Sequence, residues 1–468
     1  MYVKQLYTGC LAEAAYYVES NGEAAIIDPL RDTQVYQEMA QERGAKIKYV
    51  LETHFHADFV SGHLDLAQKT GAKIVYGPTA EPNFDAYVAE DQEVLPLGEA
   101  KFVVLHTPGH TMESVTYLLK DETGKNEAIF TGDTLFIGDV GRPDLAVKSD
   151  LSREDLARHL YQSLRQKIMP LEDEITVYPG HGQGSACGKN MSSETTDTLG
   201  SQKENNYALD PKLSEEAFIE AVTEGLVTPP QYFPKNAVLN KTGYDQLDRI
   251  LEKSEKALEV ASFDQYRQED NTLILDTRYE SEFMEKHIPN SLYIGLHDNF
   301  APWVGALIED LQTPLLIIAH EGKEEEVITR LARVGYDNAL GYLKGGIPAW
   351  EKAGKALTST PQLKLDELAA RWDQLNEQVV DVRKVSEYET QHLQGVRHLA
   401  LDFMPQEVNE LAEDTPYYLH CAGGYRSVIA ASILERHGRR GVSIEGGFNA
   451  MDSSKLPMTE TQTVDNML

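Results

Sequence analysis

Four short stretches in the N-terminal part of the chain share one grammar: an apolar run, then a tight turn carrying histidine or aspartate. They are KYVLETHFHADF, FVVLHTPGHTMES, AIFTGDTLF and ITVYPGHGQG, and they supply His54, His56, Asp58, His110, Asp133 and His181. Apolar runs of this length read as buried strands, and turns at the ends of neighbouring strands converge on one rim of a sheet. Imidazole nitrogen and carboxylate oxygen together suit a borderline divalent transition metal. One such turn means little; four in one stretch predict a metal-binding rim. A different chemistry is written near the other end, in YYLHCAGGYRSVIAAS. Cys421 leaves an apolar strand, the loop Ala422-Gly423-Gly424-Tyr425 follows, and Arg426-Ser427 open a helix. Loop glycines let backbone N–H groups turn inward and a helix N-terminus adds positive potential. Both stabilise a thiolate or an anionic persulfide.

The elements that must hold these residues include a duplication. LILDTRYESEFMEKHIPNSLYI and VVDVRKVSEYETQHLQGVRHLA repeat the order strand, Asp-x-Arg, helix, extended segment. Asp276 and Asp381 are 105 residues apart (381 − 276), as are Arg278 and Arg383, and His287 and His392. TPLLIIAHEGKEEEVITRL then matches TPYYLHCAGGYRSVIAASIL, and GYLKGGIPAWEKAG matches VSIEGGFNAMDSSKL. An ordered series at near-constant offset predicts two tandem parallel-sheet α/β domains. TSTPQLK joins the copies. Upstream, after the prolines of TPPQYFPKNAVLNKTG, the spacing of Leu247, Ile250, Leu251 and Leu258 predicts a linker or packing helix. The domains expected are therefore 1–255, 256–357 and 358–468.

Composition sets the outer limits. With 468 residues, 41% hydrophobic and 25% charged, the chain can bury several cores. Its net charge of −32 repels phosphate backbones and anionic headgroups, which excludes nucleic acid and membrane surfaces as expected partners. Three cysteines, Cys10, Cys187 and Cys421, are an odd count without close spacing. They predict neither a disulfide framework nor a cysteine-built zinc site, and they fit a reducing compartment. The first residues lack a basic start followed by an apolar core, and no apolar run approaches spanning length, so a cytoplasmic location is expected.

The ordered set Thr53-His54-x-His56-x-Asp58, Pro108-Gly109-His110-Thr111, Thr131-Gly132-Asp133-Thr134-Leu135-Phe136 and Pro179-Gly180-His181 resembles the metallo-β-lactamase superfamily. The resemblance implies an αββα sandwich with metal at its rim. Hydrolytic members such as glyoxalase II usually read H-x-H-x-D-H, the last two residues serving a second metal; here the final place is Phe59, which cannot ligate. That departure favours one metal, and two histidines with one carboxylate form the facial set of non-haem iron(II) oxygenases. Within the superfamily this is what the persulfide dioxygenases look like, and by that resemblance the ligands are His54, His110 and Asp133. His56, Asp58 and His181 become outer groups or remnants of a second-metal site, with His56 still open as a direct ligand. Arg142 is read as an anion clamp or as a salt bridge to Asp139 or Asp144. Cys187 is read as a substrate-side group or a buried thiol. His63 is expected on a helix surface and His106 in a structural role.

The Cys421 loop, with its upstream D-V-R and downstream E-G-G-F, resembles the rhodanese sulfurtransferases. Arg426 follows Cys421 by five positions (426 − 421), tighter than the cysteine-phosphatase loop and suited to a terminal sulfur. The nucleophile carries over to Cys421 and the anion-binding loop to Ala422, Gly423, Gly424, Tyr425 and Arg426. The middle copy reads HEGKEEE instead, with His320 near the nucleophile position and Glu321, Glu324, Glu325 and Glu326 around it. It is a degenerate copy, left with scaffolding, positioning or self-association. The whole resembles a persulfide dioxygenase–rhodanese fusion. This implies a mononuclear Fe(II) enzyme using a small thiol persulfide, O2 and sulfite, and a homo-oligomer. The alternatives are a zinc-dependent glyoxalase II-like thioester hydrolase fused to a sulfurtransferase, and a sulfur-carrier or sensor role for the last domain.

Overall fold

The computed structural model describes residues 1–146, 151–297 and 299–459, so residues 460–468 of the last expected domain lie outside the described residues. The chain divides into two compact units, residues 1–250 with 329–335, and residues 251–328 with 336–468.

The first unit is built on two six-stranded sheets. One runs in chain order through β1 (Tyr2–Thr8), β2 (Glu13–Ser20), β3 (Glu23–Ile27), β4 (Lys46–Leu51), β5 (Lys73–Tyr76) and β6 (Tyr87–Val88). It is antiparallel up to β3 and parallel from β3 onward. The other contains β7 (Val94–Leu97), β8 (Ala100–His106), β9 (Val115–Lys120), β10 (Asn126–Gly132), β11 (Thr176–Pro179) and β12 (Asp197–Thr198). Side chains of a strand alternate between faces, so neighbours serve different cores. Ile27, Leu51 and Val75 face Phe102, Val104, Leu119 and Phe130 in the central core. Ile26, Val50 and Ile74 point the other way, against Tyr36 and Leu66 of the helices Gln34–Arg43 and His63–Thr70. On the far side Val103, Leu118, Ile129 and Val177 pack against Ala157, Leu160 and Phe218 of the helices Arg153–Ser163 and Glu215–Thr223. Helix, sheet, sheet, helix is the expected αββα order.

The second unit holds two sheets of one topology. Their orders are β13 (Ala257–Leu258), β17 (Ala339–Leu343), β16 (Leu315–Ile318), β14 (Leu273–Asp276), β15 (Leu292–Tyr293), and β18 (Gln362–Leu363), β22 (Arg440–Ile444), β21 (Pro416–His420), β19 (Val379–Asp381), β20 (Arg397–His398). Every pairing is parallel. The duplication extends to side chains. Arg278 forks onto Asp276 and donates to the Lys286 carbonyl, and Arg383 does the same with Asp381 and Gln391. One expectation fails here. Leu258 does not continue the helix, which is Leu247–Ser254. It belongs to β13, where pairing with Tyr342 and Leu343 satisfies the backbone that helical spacing had claimed.

Candidate metal centre and thiol loop

The metal-type residues sit where β4, β8, β10 and β11 end, on turns that the sandwich brings to one rim. Gly132 allows a close approach: its φ is +48°, and a Cβ there would lie 2.4 Å from the Thr53 hydroxyl. His110 Nε2 and His54 Nε2 stand 3.4 and 3.9 Å from Asp133 Oδ2. All three donors lie within 4.8 Å of one another and all three residues are buried. Their other polar atoms are engaged. The Thr53 hydroxyl donates to Asp28 Oδ2 (2.8 Å) and therefore accepts from His54 Nδ1 (3.0 Å). His110 Nδ1 donates to the Arg142 carbonyl (2.9 Å), and His181 Nδ1 donates to Asp133 Oδ1 (2.8 Å). Both histidines thus keep an Nε2 lone pair for the common point. Asp133 Oδ2 has no hydrogen-bond partner among the described residues, although it is buried. Two imidazole nitrogens and an orphaned carboxylate oxygen fit a single divalent metal.

Electrostatics agree with that use. Burial pushes the Asp133 carboxyl up, but its histidine neighbours, His181 foremost with its ring both charged and hydrogen-bonded, hold it well below the usual carboxylate range. Burial, helped by the His56 ring, keeps His54 well below its ordinary value, so its ring is neutral. His181 behaves in the opposite way. Burial opposes its charge, yet Asp133 and Asp58 raise its pKa well above the ordinary value. It stands as a cation between two carboxylates, its Nε2 2.7 Å from Asp58 Oδ2.

At the other site, the Gly424 N–H donates to Cys421 Sγ (3.1 Å) from a residue with φ +108°, and the Ser427 hydroxyl donates to the Gly424 carbonyl (2.7 Å). The turn behind braces the loop, with Phe448 N–H donating to the Cys421 carbonyl (2.7 Å) and Asn449 N–H to that of Ala422 (3.0 Å). Arg426 forks onto Glu387 at 2.6 and 2.8 Å. In the middle copy Ile318 pairs with Asp276 as His420 pairs with Asp381, so Ala319, rather than His320, stands where Cys421 stands. Gly322 keeps the left-handed turn at φ +80°. His320 instead meets Glu282 at 2.7 Å, the carboxylate 105 residues before Glu387 (387 − 282). The loop shape has outlived its nucleophile.

Residues 8–181 match the metallo-beta-lactamase superfamily, and residues 259–353 and 364–454 match the rhodanese-like domain. Over 184 residues the chain is 34% identical to the cytoplasmic hydroxyacylglutathione hydrolase of Arabidopsis thaliana, covering 38% of this chain and 67% of that protein. It is 30% identical over 161 residues to the mitochondrial persulfide dioxygenase of Homo sapiens, covering 34% of this chain and 59% of that protein. A crystal structure of a metallo-beta-lactamase from Staphylococcus aureus subsp. aureus COL superposes with a TM-score of 0.64 at 31% identity, over 74% of this chain and 99% of the other. The chain belongs to the metallo-β-lactamase superfamily. Its lactamase-like domain is followed by rhodanese-like domains, the first without the catalytic cysteine.

Around this lactamase-fold centre the remaining residues divide into two further groups. His56 turns its Nε2 to Asp28 Oδ1 (3.1 Å) and Glu52 Oε2 (3.6 Å), and groups with them rather than with the three donors at Asp133. Asp58 and His181 group with Cys187. Burial, then Asp58 and Asp133, push the Cys187 thiol up, so it stays protonated. The Arg142 guanidinium is committed to Asp144 and to the carbonyls of Ala186 and Val227, with no ion pair to Asp139 among the described residues. What Arg142 offers the rim is its carbonyl on His110. His106 Nε2 hydrogen-bonds the Met112 carbonyl. His63 corrects the sequence reading. It is fully buried, stacked on Phe84, and burial takes it down to about 3. The helix it opens packs its first turn inward, which a spacing argument does not see. Asp28, Thr53 and Glu387 were missed. Asp28 follows β3 in AAIIDP, the same strand-then-aspartate grammar as the recognised turns, and Glu387 repeats Glu282.

Proposed function

We propose that the first domain is a mononuclear Fe(II) persulfide dioxygenase and the last a sulfurtransferase, in a chain of three domains spanning 1–255, 256–357 and 358–468. The observation that carries the first half is the set of three donors at Asp133, with Phe59 in the place of a second-metal ligand. Phe59 is buried, its ring centroid 4.3 Å from that of His56. His181 has both ring nitrogens committed to carboxylates, and so offers none to a second ion. His54, His110 and Asp133 would hold the iron; Thr53, the Arg142 carbonyl and His181 fix their tautomers and orientation. Iron held there would activate O2 toward the sulfur. The overall reaction is R-S-SH + O2 + H2O → R-SH + sulfite + 2 H⁺, the outer sulfur losing the four electrons that O2 gains. Buried walls would limit water, and Cys187, a neutral thiol grouped with Asp58 and His181, would face the substrate.

At the second site the Cys421 thiolate attacks the outer sulfur of a persulfide, releases R-SH and becomes an enzyme persulfide held by the loop N–H groups and Arg426. Sulfite attacking the outer sulfur then leaves as thiosulfate and returns the thiolate. The chemistry is that of sulfide and persulfide detoxification. A second reading, a zinc thioester hydrolase, has the 34% match to a hydroxyacylglutathione hydrolase in its favour. Metal content with oxygen uptake separates the two. We expect one iron per chain and uptake on adding glutathione persulfide or another small persulfide. Two zincs per chain with thioester hydrolysis would overturn the dioxygenase reading.

A further inference from the structure

We propose that the cysteine-less copy is a working part of the sulfurtransferase site: its segment 287–297 holds the helix that carries the Cys421 loop, through Tyr425 as the positioning residue. The inference rests on reading Cys421 as the sulfur-transfer nucleophile.

The helix Tyr425–Arg436 is held along one side by the preceding copy. The Tyr425 hydroxyl donates to the Gly295 carbonyl (3.2 Å). The Tyr293 N–H donates to the Ser432 hydroxyl oxygen (3.1 Å). Glu435 accepts from the Asn290 N–H (3.0 Å) and meets His287 Nε2 (2.9 Å), while Arg436 donates to the Asn290 carbonyl (2.7 Å). Positions 425, 432 and 436 are seven and four apart, which on a helix is a single stripe. The preceding copy therefore holds the helix both at its start beside the loop and at its far end.

Its first point reaches the sulfur directly. Tyr425 follows Gly424, whose N–H donates to Cys421 Sγ, so a shift of the tyrosine moves a hydrogen bond on the reacting atom. The Tyr425 ring also packs on His297, centroids 4.8 Å apart, and edge-on to Tyr293 at 6.0 Å. At 295 a side chain would crowd this arrangement: a Cβ would lie 2.6 Å from both the Tyr293 hydroxyl and the His297 ring. Loss of the middle copy's own nucleophile is compatible with this duty, because the contacts come from the chain after β14 and leave its empty loop unused. A misplacement of an ångström in a reacting group lowers rates by up to about a hundredfold, enough for a remote hydrogen bond to be read in turnover.

The test uses the full chain with Tyr425→Phe, Gly295→Ala and Cys421→Ser. Three quantities are measured: sulfur transfer from thiosulfate to cyanide, the rate at which iodoacetate alkylates Cys421, and the thermal midpoint. Expected for both positioning variants is a fall in kcat of about tenfold with KM within about twofold, alkylation slower by about threefold, and an unchanged midpoint. If both keep kcat and alkylation within about twofold of the parent, the proposal is wrong. It is equally wrong if kcat falls only in step with the thermal midpoint while alkylation holds. Transfer that survives Cys421→Ser would instead defeat the underlying reading of the nucleophile.

Discussion

By the superfamily resemblance, Phe59 stands where hydrolytic members carry a metal-ligating imidazole, and donors of the right type lie beside it. Asp58 Oδ1 has no hydrogen-bond partner among the described residues, and Cys187 and His181 stand beside it. Restoring an imidazole should therefore draw His181 away from its two carboxylates and let a second metal compete. We expect Phe59→His to raise the metal content above one per chain and to lower persulfide-dependent oxygen uptake, by elemental analysis and an oxygen electrode. An unchanged metal content would show that the aromatic ring is not what limits the site.

Among the elements, the short helix Val385–Thr390 does more than pack, because Glu387 both accepts the Lys384 N–H at its start and holds Arg426 of the thiol loop. Burial pushes Glu387 up, but Arg426 outweighs it and lowers its pKa. A carboxyl lowered in the folded state adds stability that is present above its ordinary value of 4.5 and is lost as pH falls through the lower folded value. Glu387→Gln, which has no such charge to lose, should flatten the acid-side fall of the thermal midpoint of the last domain, and should lower sulfur transfer by freeing Arg426. Parallel midpoint-versus-pH curves for parent and variant would contradict this. The pair is partly exposed, so the effect on stability is modest.

Across the whole molecule, the proposed function assigns two chemistries to separate domains and makes sulfite the species that links them. On that proposal, replacing Cys421 by alanine should change the product rather than stop the oxidation, with sulfite accumulating in the variant and thiosulfate in the parent. Chromatography of the two anions after persulfide and O2 are supplied reads this directly, and continued thiosulfate formation would sever the link. No helix among the described residues is long and apolar enough to cross a membrane. The charge of −32 speaks to solubility and names no substrate.

Sequence alone determined the tandem α/β class, the strand-end turns and the thiol loop, because period, glycine placement and repeat spacing are local properties that a chain carries in order. The αββα class and the choice of His54, His110 and Asp133 came from the superfamily resemblance that those turns carry. The tertiary structure decided what each polar group faces. His56 turns to Asp28 and Glu52, the Arg142 side chain is spent on Asp144 while its carbonyl holds His110, and His63 is buried. It also moved Leu258 from a helix to a strand and put Ala319 at the empty nucleophile position. These outcomes depend on which distant strands and loops share a rim, and on the need of every buried polar atom for a partner. Neither is written in the spacing of neighbours along the chain.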